Sequence, residues 1–327
     1  MPYELDGRLV IGVASSAVFD LLESDAIFKS EGEEKYRKFQ ELNLNTPLPK
    51  GIAYPFIKRL LSLNDLSPRE DPLVEVVLLS KNDPDTGMRV MKTIEHYGIP
   101  MTRAIFMQGR SPYEYIPALN IALFLSGDKA DVQSAIKAGH PAGQMLDSKF
   151  DDDESDQTLR IAFDFDGVLA GDESEAVMQA AGLTEFHAHE VKNVMQPHHP
   201  GPLKEFMVRI AKIQSVEEEQ HKKLNPTYKN RIRVSIVTAR NAPSHERAMN
   251  TRKNWGVMAN DAFFLGGIEK GRVLGVLKPH IFFDDQSGHL KSASAVVPSV
   301  HVPFGITNQA ASEPPLSAQS LITKSVV

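Results

Sequence analysis

LVIGVASSAVFDLLESDAIF (Leu9–Phe28), laid over LRIAFDFDGVLAGDESEAVM (Leu159–Met178), decides the architecture. The two stretches register without a gap, and the register holds as far as Asn64 over Gln214. Along it Glu23 meets Glu173, Ser24 meets Ser174, Gly32 meets Gly182, Pro47 meets Pro197, Gly51 meets Gly201, Phe56 meets Phe206 and Arg59 meets Arg209. Glycine and proline punctuate backbone geometry, so their coincidence marks a shared backbone rather than a shared composition. The later stretch then carries a longer charged segment, SVEEEQHKKLNPTYKNR (215–231), read as a loop. Beyond it a second constant offset sets Ser80 over Thr238 and continues through Phe106/Phe264, Gly109/Gly267, Leu119/Leu277 and Phe124/Phe282. The chain reads as a tandem duplication of one domain.

Within each copy, short apolar or β-branched runs (Val10–Val13, Val74–Leu79, Ala104–Met107, Ala122–Leu125) alternate with amphipathic stretches such as PFIKRLLSLN and DTGMRVMKTIEHYG. A period near two followed by one near 3.6 spells strand then helix, and that alternation builds a parallel sheet covered on both faces. The expected fold class is therefore α/β: two tandem doubly wound, Rossmann-like domains, each with a largely helical insert after its first strand that could cap the sheet. The expected boundaries are 1–147 for the first domain, 148–158 for an acidic linker, 159–306 for the second domain with its insert at 171–231, and a flexible Ser, Ala and Pro-rich tail at 307–327.

The chain has 327 residues, no cysteine, and a formal net charge of -6. That length suffices for two buried cores. Without cysteine there are no disulfides, no thiolate-ligated zinc and no thiol nucleophile, which fits a reducing compartment. Mild acidity argues against a nucleic-acid polymer as partner, since phosphate-backbone binders carry a basic face. Glu4 and Asp6 stand where a secretory leader would be basic, so LVIGVASSAVFDLL reads as a buried strand entering a helix. No run reaches membrane-spanning length. The expected location is the cytoplasm, with no membrane partner.

The two copies differ at their strand ends, where doubly wound sheets bind ligands. The second copy has Asp164 and Asp166 after RIAF, Thr238 after VSIV, Lys270 after AFFLGGIE, and Asp284 with Asp285 after HIFF. The first has Ala14 and Ser16, Ser80, Pro112, and Ser126 with Gly127. An isolated pair of acids at a strand end is usually a solvated turn. Four matching strand ends in one copy, absent from the other, argue for chemistry, because a fold that needed them would need them twice.

The set suits phosphoryl transfer. A carboxylate nucleophile, Asp164, can split a hydrolysis into two steps through an aspartyl-phosphate. Asp166, two residues on and turned by Gly167, is placed to serve as general acid and base. Four acids from two strands repel one another and call for a hard cation, Mg²⁺, on Asp164, Asp166, Asp284 and Asp285. Thr238 and the backbone around it, Ala239 included, can hold phosphate oxygens, and Lys270 neutralises the transferring group. Lys278 is a rival, but it precedes Pro279 opposite Asn120 in a helix-to-strand turn.

DFDGV after a hydrophobic strand, a strand-end Thr, a downstream Lys and a final FFDD resemble, in that order, the motifs of the haloacid-dehalogenase-like phosphohydrolases. More specifically, ASSAVFDL, LLSKNDPDTGMRV, IEHYG, TRAIFMQGRSPYEY, LFLS, IAFDFDGVLAGDESE and IFFDDQ together resemble the cytosolic type I 5'-nucleotidase family across roughly residues 9 to 305. The resemblance implies Mg²⁺-dependent hydrolysis of nucleoside 5'-monophosphates, AMP or a related one. It places nucleophile and metal ligand on Asp164, and acid/base with a main-chain ligand on Asp166. It carries phosphate contacts to Thr238 and Lys270, with Asp285 a direct metal ligand and Asp284 one acting through water. The residues alone leave the last pair open.

Other residues have blander readings. His187, His189, Glu190, His198 and His199 are expected as surface groups of a helical insert. Arg240 and Asn241 could touch phosphate or ribose, or belong to an ordinary loop. Glu173 and Ser174 are repeated by Glu23 and Ser24, hence structural, and Trp255 over Tyr97 reads as core. In GRSPYEY (Gly109–Tyr115), the two tyrosines could reach across the interface between copies. The first copy then serves as a scaffold or as a site for a nucleotide effector, and self-association is allowed. Competing functions are a phosphatase of another small phosphomonoester, such as a sugar phosphate, and a non-catalytic nucleotide-binding regulator. A dehalogenase needs neither the second acid nor the metal.

Overall fold

The computed structural model describes residues 3–224 and 229–309. The first half of the chain forms β1 (Leu9–Val13), α1 (Ser15–Val18), α2 (Leu22–Glu31), α3 (Glu33–Leu42), α4 (Tyr54–Ser62), β2 (Val74–Ser80), α5 (Pro84–His96), β3 (Arg103–Phe106), β4 (Ile121–Ser126), α6 (Lys129–Lys137) and β5 (Ala142–Met145). The second forms β6 (Leu159–Phe163), α7 (Glu173–Lys192), α8 (Lys204–Leu224), β7 (Ile232–Thr238), α9 (His245–Asn254), β8 (Asp261–Phe264), α10 (Lys270–Leu277), β9 (Ile281–Asp284), α11 (Ser287–Ala293) and β10 (Ser299–His301). The fold is α/β and Rossmann-like, with a large, mostly parallel sheet.

The strands make one ten-stranded sheet in the order β3-β2-β1-β4-β5-β10-β9-β6-β7-β8. Read outward from its middle, each half has the same order. Neighbours run parallel everywhere except at the seam, where β10 pairs β5 antiparallel through Val300/Met145 and His301/Gln144. The carboxyl ends of β1, β2 and β4 therefore lie on one edge of the sheet, and those of β6, β7 and β9 on the opposite edge. β1 and β2 are buried along their whole length, as central parallel strands must be when helices cover both faces.

Contacts repeat between the halves at the two sequence offsets. Leu48 N donates to Thr93 Oγ1 at 3.1 Å, and His198 N to Thr251 Oγ1 at 3.1 Å. Arg89 Nε donates to the Thr46 carbonyl at 3.0 Å, and Arg247 Nε to that of Gln196 at 2.9 Å. Gly32 and Gly182, both near φ 84°, end one helical piece and start the next. α4 packs against β6 of the other half, and α8 against β1 and β4. On those helices stand the register-equivalent arginines. Arg209 donates to the carbonyls of Arg8 and Asn120, while Arg59 donates to those of Asp153 and Asp156.

Several expectations change. The charged stretch from Ser215 is not a loop at its start, because α8 continues to Leu224. Glu, Gln and Lys are good helix formers, and buried Glu217 accepts from the amide of Arg231 at the start of β7. Residues 225–228 of that stretch lie outside the described residues. The acidic segment 148–158 carries no helix or strand, yet it is pinned. Asp152 pairs with buried Arg59 at 2.9 Å, and Glu154 with Lys50 and Lys58. Thr307 and Asn308, expected in a flexible tail, are hydrogen-bonded to Asp285; residues 310–327 of that expected tail lie outside the described ones. Tyr113 packs on the first half's own apolar cluster and Tyr115 is exposed. No helix among the described residues is long and apolar enough to cross a membrane.

Candidate active site

The site is built on β6, β7 and β9, and its floor is aromatic. Phe163 and Phe283 stack with centroids 5.2 Å apart, and Phe206 from α8 meets Phe163 edge-on at 5.8 Å. All three are fully buried, so truncating one to alanine costs about 3–5 kcal/mol. The floor fixes where β6 and β9 end, and hence where their acids stand.

Asp164 follows β6 directly. Its amide donates to the Phe283 carbonyl at 2.8 Å, and its Oδ1 accepts from the Phe165 amide at 2.7 Å. Lys270, the first residue of α10, is buried and places Nζ 2.8 Å from Asp164 Oδ2 and 2.6 Å from Asp284 Oδ2. Asp284 Oδ1 accepts from the Gln286 amide at 2.8 Å, and His289 Nδ1 lies 3.3 Å from it. Gly167 makes the approach of Asp285 feasible. It has φ 71°, and a Cβ there would stand 2.5 Å from the Asp285 carboxyl carbon. Thr238 ends β7, buried, and exposed Ala239 follows it. Lys278 occupies a left-handed turn, φ 48°, as Asn120 does at φ 51°. The structure thus brings Asp164, Lys270, Asp284 and Asp285 together and leaves Lys278 in a turn.

The electrostatics are unbalanced. Burial pushes the Asp164 carboxyl up to about 6, with Lys270 opposing and Asp284 adding to the rise. Burial, then repulsion from Asp164 and Asp284, pushes Asp285 up to about 8. Burial would lower Lys270, but the charges of Asp164 and Asp284 outweigh it and raise it, so it stays an ammonium. Full ionisation sets three buried carboxylates against one ammonium and leaves two negative charges, those a divalent cation would balance. Asp285 Oδ1 is buried and has no hydrogen-bond partner among the described residues. An orphaned carboxylate oxygen beside uncompensated charge fits a hard cation. Asp164, Asp284 and His289 also offer donor atoms within 4.8 Å of one another. The oxygens suit Mg²⁺ better than the imidazole does, and because Asp164 and Asp284 both already face Lys270, Asp285 with its unpartnered oxygen is the acid best placed to hold it.

Asp166 is held apart from this cluster by Arg240, in a role the sequence did not reveal. Arg240 grips its carboxylate in a fork, Nε to Oδ2 at 2.7 Å and Nη2 to Oδ1 at 2.6 Å. Arg240 is buried between the rings of Phe165 and Phe186, both about 5 Å away. Its other side donates to Glu190 from α7. Glu190 also accepts from Ser174 Oγ at 2.8 Å and Arg247 Nη1 at 2.9 Å, with His198 Nε2 at 3.1 Å. Burial alone would raise Glu190, but His198 and Arg240 hold it well below the usual carboxylate range.

This bears on three expectations. Glu190 and His198 are buried, not surface groups; Glu190 faces Arg240 and Arg247, and His198 lies between Thr251 and Glu190. Arg240 grips an acid rather than standing ready for phosphate or ribose. Ser174 is structural, as expected, though its partner is the buried Glu190. The signal that could have found this network lies in the register. Gln40, Leu48 and Asn82 of the first half stand where the second has Glu190, His198 and Arg240, so these charges occur where the acids occur.

Comparison with known proteins agrees with this geometry. The chain matches the 5'-nucleotidase family over residues 1–309. It is 34% identical over 297 residues to human cytosolic 5'-nucleotidase 1B, covering 89% of this chain and 48% of that protein, so it spans about half the length of the curated relative. No solved structure matches it. A family match over residues 1–309, together with 34% identity over 89% of the chain, places the chain in the 5'-nucleotidase family.

Proposed function

We propose that the protein is a phosphoric monoester hydrolase acting on nucleoside 5'-monophosphates, AMP or a related one, through an aspartyl-phosphate on Asp164. The observation that carries this reading is the meeting of Lys270 with Asp164 and Asp284 at one sheet edge, within 2.8 Å. Asp164 attacks phosphorus, and the bond to the nucleoside 5' oxygen breaks as that oxygen takes a proton from Asp166. Water then attacks the phospho-carboxylate, gives its proton to Asp166, and releases phosphate with Asp164 restored. Lys270 and Thr238 hold the phosphate oxygens and share their charge, with the backbone at Ala239. Arg240 orients the Asp166 carboxyl through its fork, and donation to the leaving oxygen requires that fork to loosen. Asp164 and Asp285 would hold Mg²⁺, with the main-chain carbonyl of Asp166 as a further ligand and Asp284 contributing through water. Bound there, the ion would screen the nucleophile from the phosphate dianion.

The same reading makes the chain a duplicated unit, supported by the repeated strand order and repeated hydrogen bonds. Residues 1–147 are its half without acids, 148–158 the joining segment, and 159–306 the catalytic half. Of the insert 171–231, α7 is the part that could cap the catalytic edge, since its Glu190 meets Arg240, while α8 packs on the sheet. A cytoplasmic location accords with the absence of cysteine and with the relative's name. A nucleotide effector and self-association remain compatible with it.

Release of inorganic phosphate from nucleoside and sugar monophosphates, with Mg²⁺ and with EDTA, tests this for the wild type and Asp164→Asn. Metal-dependent release from nucleoside 5'-monophosphates, lost in the variant, is expected. Release from sugar phosphates alone would move the substrate class, and no release from any would favour a nucleotide-binding regulator.

A further inference from the structure

The chain after β10 does something no strand-end acid does: it returns to the site and holds one of its acids from behind. Gly305 turns at φ 76°, and the next three residues form a single 3₁₀ turn. From that turn Thr307 Oγ1 donates to Asp285 Oδ2 at 2.7 Å. Asn308 Nδ2 donates to the main-chain carbonyl of Asp285 at 2.9 Å, and His301 Nε2 lies 3.0 Å from the same carbonyl. The turn is anchored on its other side as well. Ile306 N donates to Asp172 Oδ2 at 2.8 Å, and Asp172 begins the insert that follows the β6 loop.

We propose that Thr307 is a positioning residue: by occupying Asp285 Oδ2 it fixes the carboxylate plane, so that Oδ1 is the oxygen offered to the cation. This rests on the reading of the site given above. A carboxylate has two equivalent oxygens and can rotate. With no other hydrogen bond to this carboxylate among the described residues, the one hydroxyl decides which oxygen is spent and which is free. The geometry matches, because Oδ2 is the bonded oxygen and buried Oδ1 is the one without a partner. Asn308 removes the remaining freedom by fixing the backbone from which the carboxylate springs. Partners that orient metal-holding groups in this way set affinity although they never touch the ion.

The test is Mg²⁺ binding followed calorimetrically on the full chain without substrate, for wild type, Thr307→Val and Thr307→Ser. Valine keeps the shape and removes the hydroxyl, and serine restores it. The expected result is Mg²⁺ affinity about tenfold or more weaker in Thr307→Val and within about twofold of wild type in Thr307→Ser. Phosphate release should follow, with a higher Mg²⁺ requirement and a recovering rate at saturating Mg²⁺. Equal affinity in Thr307→Val and wild type would overturn the proposal, as would equal weakening by valine and serine. Failure of the wild type to bind Mg²⁺ would instead overturn the site reading itself, and is recognised before any variant is measured.

Discussion

The two sheet edges hold the same backbone frame and opposite electrostatics. At the first half's edge the hydroxyls are used up locally. Ser80 accepts from the Asn82 amide at 3.1 Å, Ser126 from that of Asp128 at 3.0 Å, and Ser16 from that of Gly127 at 3.3 Å. Ser15 and Ser80 face each other at 3.4 Å. Lys81 is balanced by Asp128 and Asp131 at the loop. At the second half's edge, Asp164 and Asp284 share one ammonium, and beside them one buried oxygen of Asp285 has no partner among the described residues. Ser16, Ser80 and Ser126 find amide partners at one edge, whereas at the other the Asp285 carboxylate keeps an oxygen without one among the described residues. The deficit marks where a ligand is expected.

This contrast breaks most sharply at Asp164. Asp164→Asn keeps shape and hydrogen-bonding capacity but removes the nucleophile, and phosphate release should fall by about three orders of magnitude or more. Retained activity would mean that the asymmetry between the edges is not catalytic. Arg240→Gln comes next. It strands Glu190 and Asp166 in a buried network, so chemical denaturation should show a loss of about 3–5 kcal/mol, with activity falling as Asp166 loses its orientation. Its register partner Asn82 has no such duty, and Asn82→Ala should cost far less.

A smaller effect comes from His280, where the first half has Ala122. Burial, with the positive charges of Arg59 and Arg160, pushes its imidazole down to about 3, against an ordinary value of 6.5. Its Nδ1 accepts from the Arg160 amide at 3.0 Å. Between those two values the unfolded chain holds the extra proton, so stability from this group is complete above pH 6.5 and declines as pH falls toward 3. The slope is about 1.4 kcal/mol per pH unit at most. Urea midpoints at pH 6.5, 5.5 and 4.5 should flatten in His280→Gln relative to wild type; parallel curves would show that another group titrates. The smallest change is expected from Ser126→Ala, which removes one hydroxyl from the balanced edge. It should cost about 0.5–1.5 kcal/mol and leave phosphate release unchanged.

What could be read from the residues followed from locality. The register carried the repeat and marked the strand ends because each landmark sits within a few residues of its neighbours. The seam was not legible: β5 and β10 have four and three residues, too short for alternation to show. Glu190 and His198 looked like surface charges because their cations, Arg240 and Arg247, lie some fifty residues further on, beyond any helical or strand period. Thr307 fell in a stretch whose Ser and Pro content signals disorder, while its partner Asp285 is 22 residues back. In each case the deciding contact was long-range, and composition gives the residue's ordinary fate rather than its partner.

The antiparallel seam has a consequence for inheritance. A symmetric dimer is encoded once, so every substitution is made twice, and an edge that loses its acids loses them in both copies. Here the same two-fold arrangement runs along a single chain, with α4 and α8 each packed on strands of the other half. One edge is then free to be neutralised while the other keeps its charge. β5 and β10 also cover each other's strand edges, which either half alone would expose to pairing with foreign chains. The half without acids is thus retained for what it shields as well as for what it supports, and selection can act on the two edges separately.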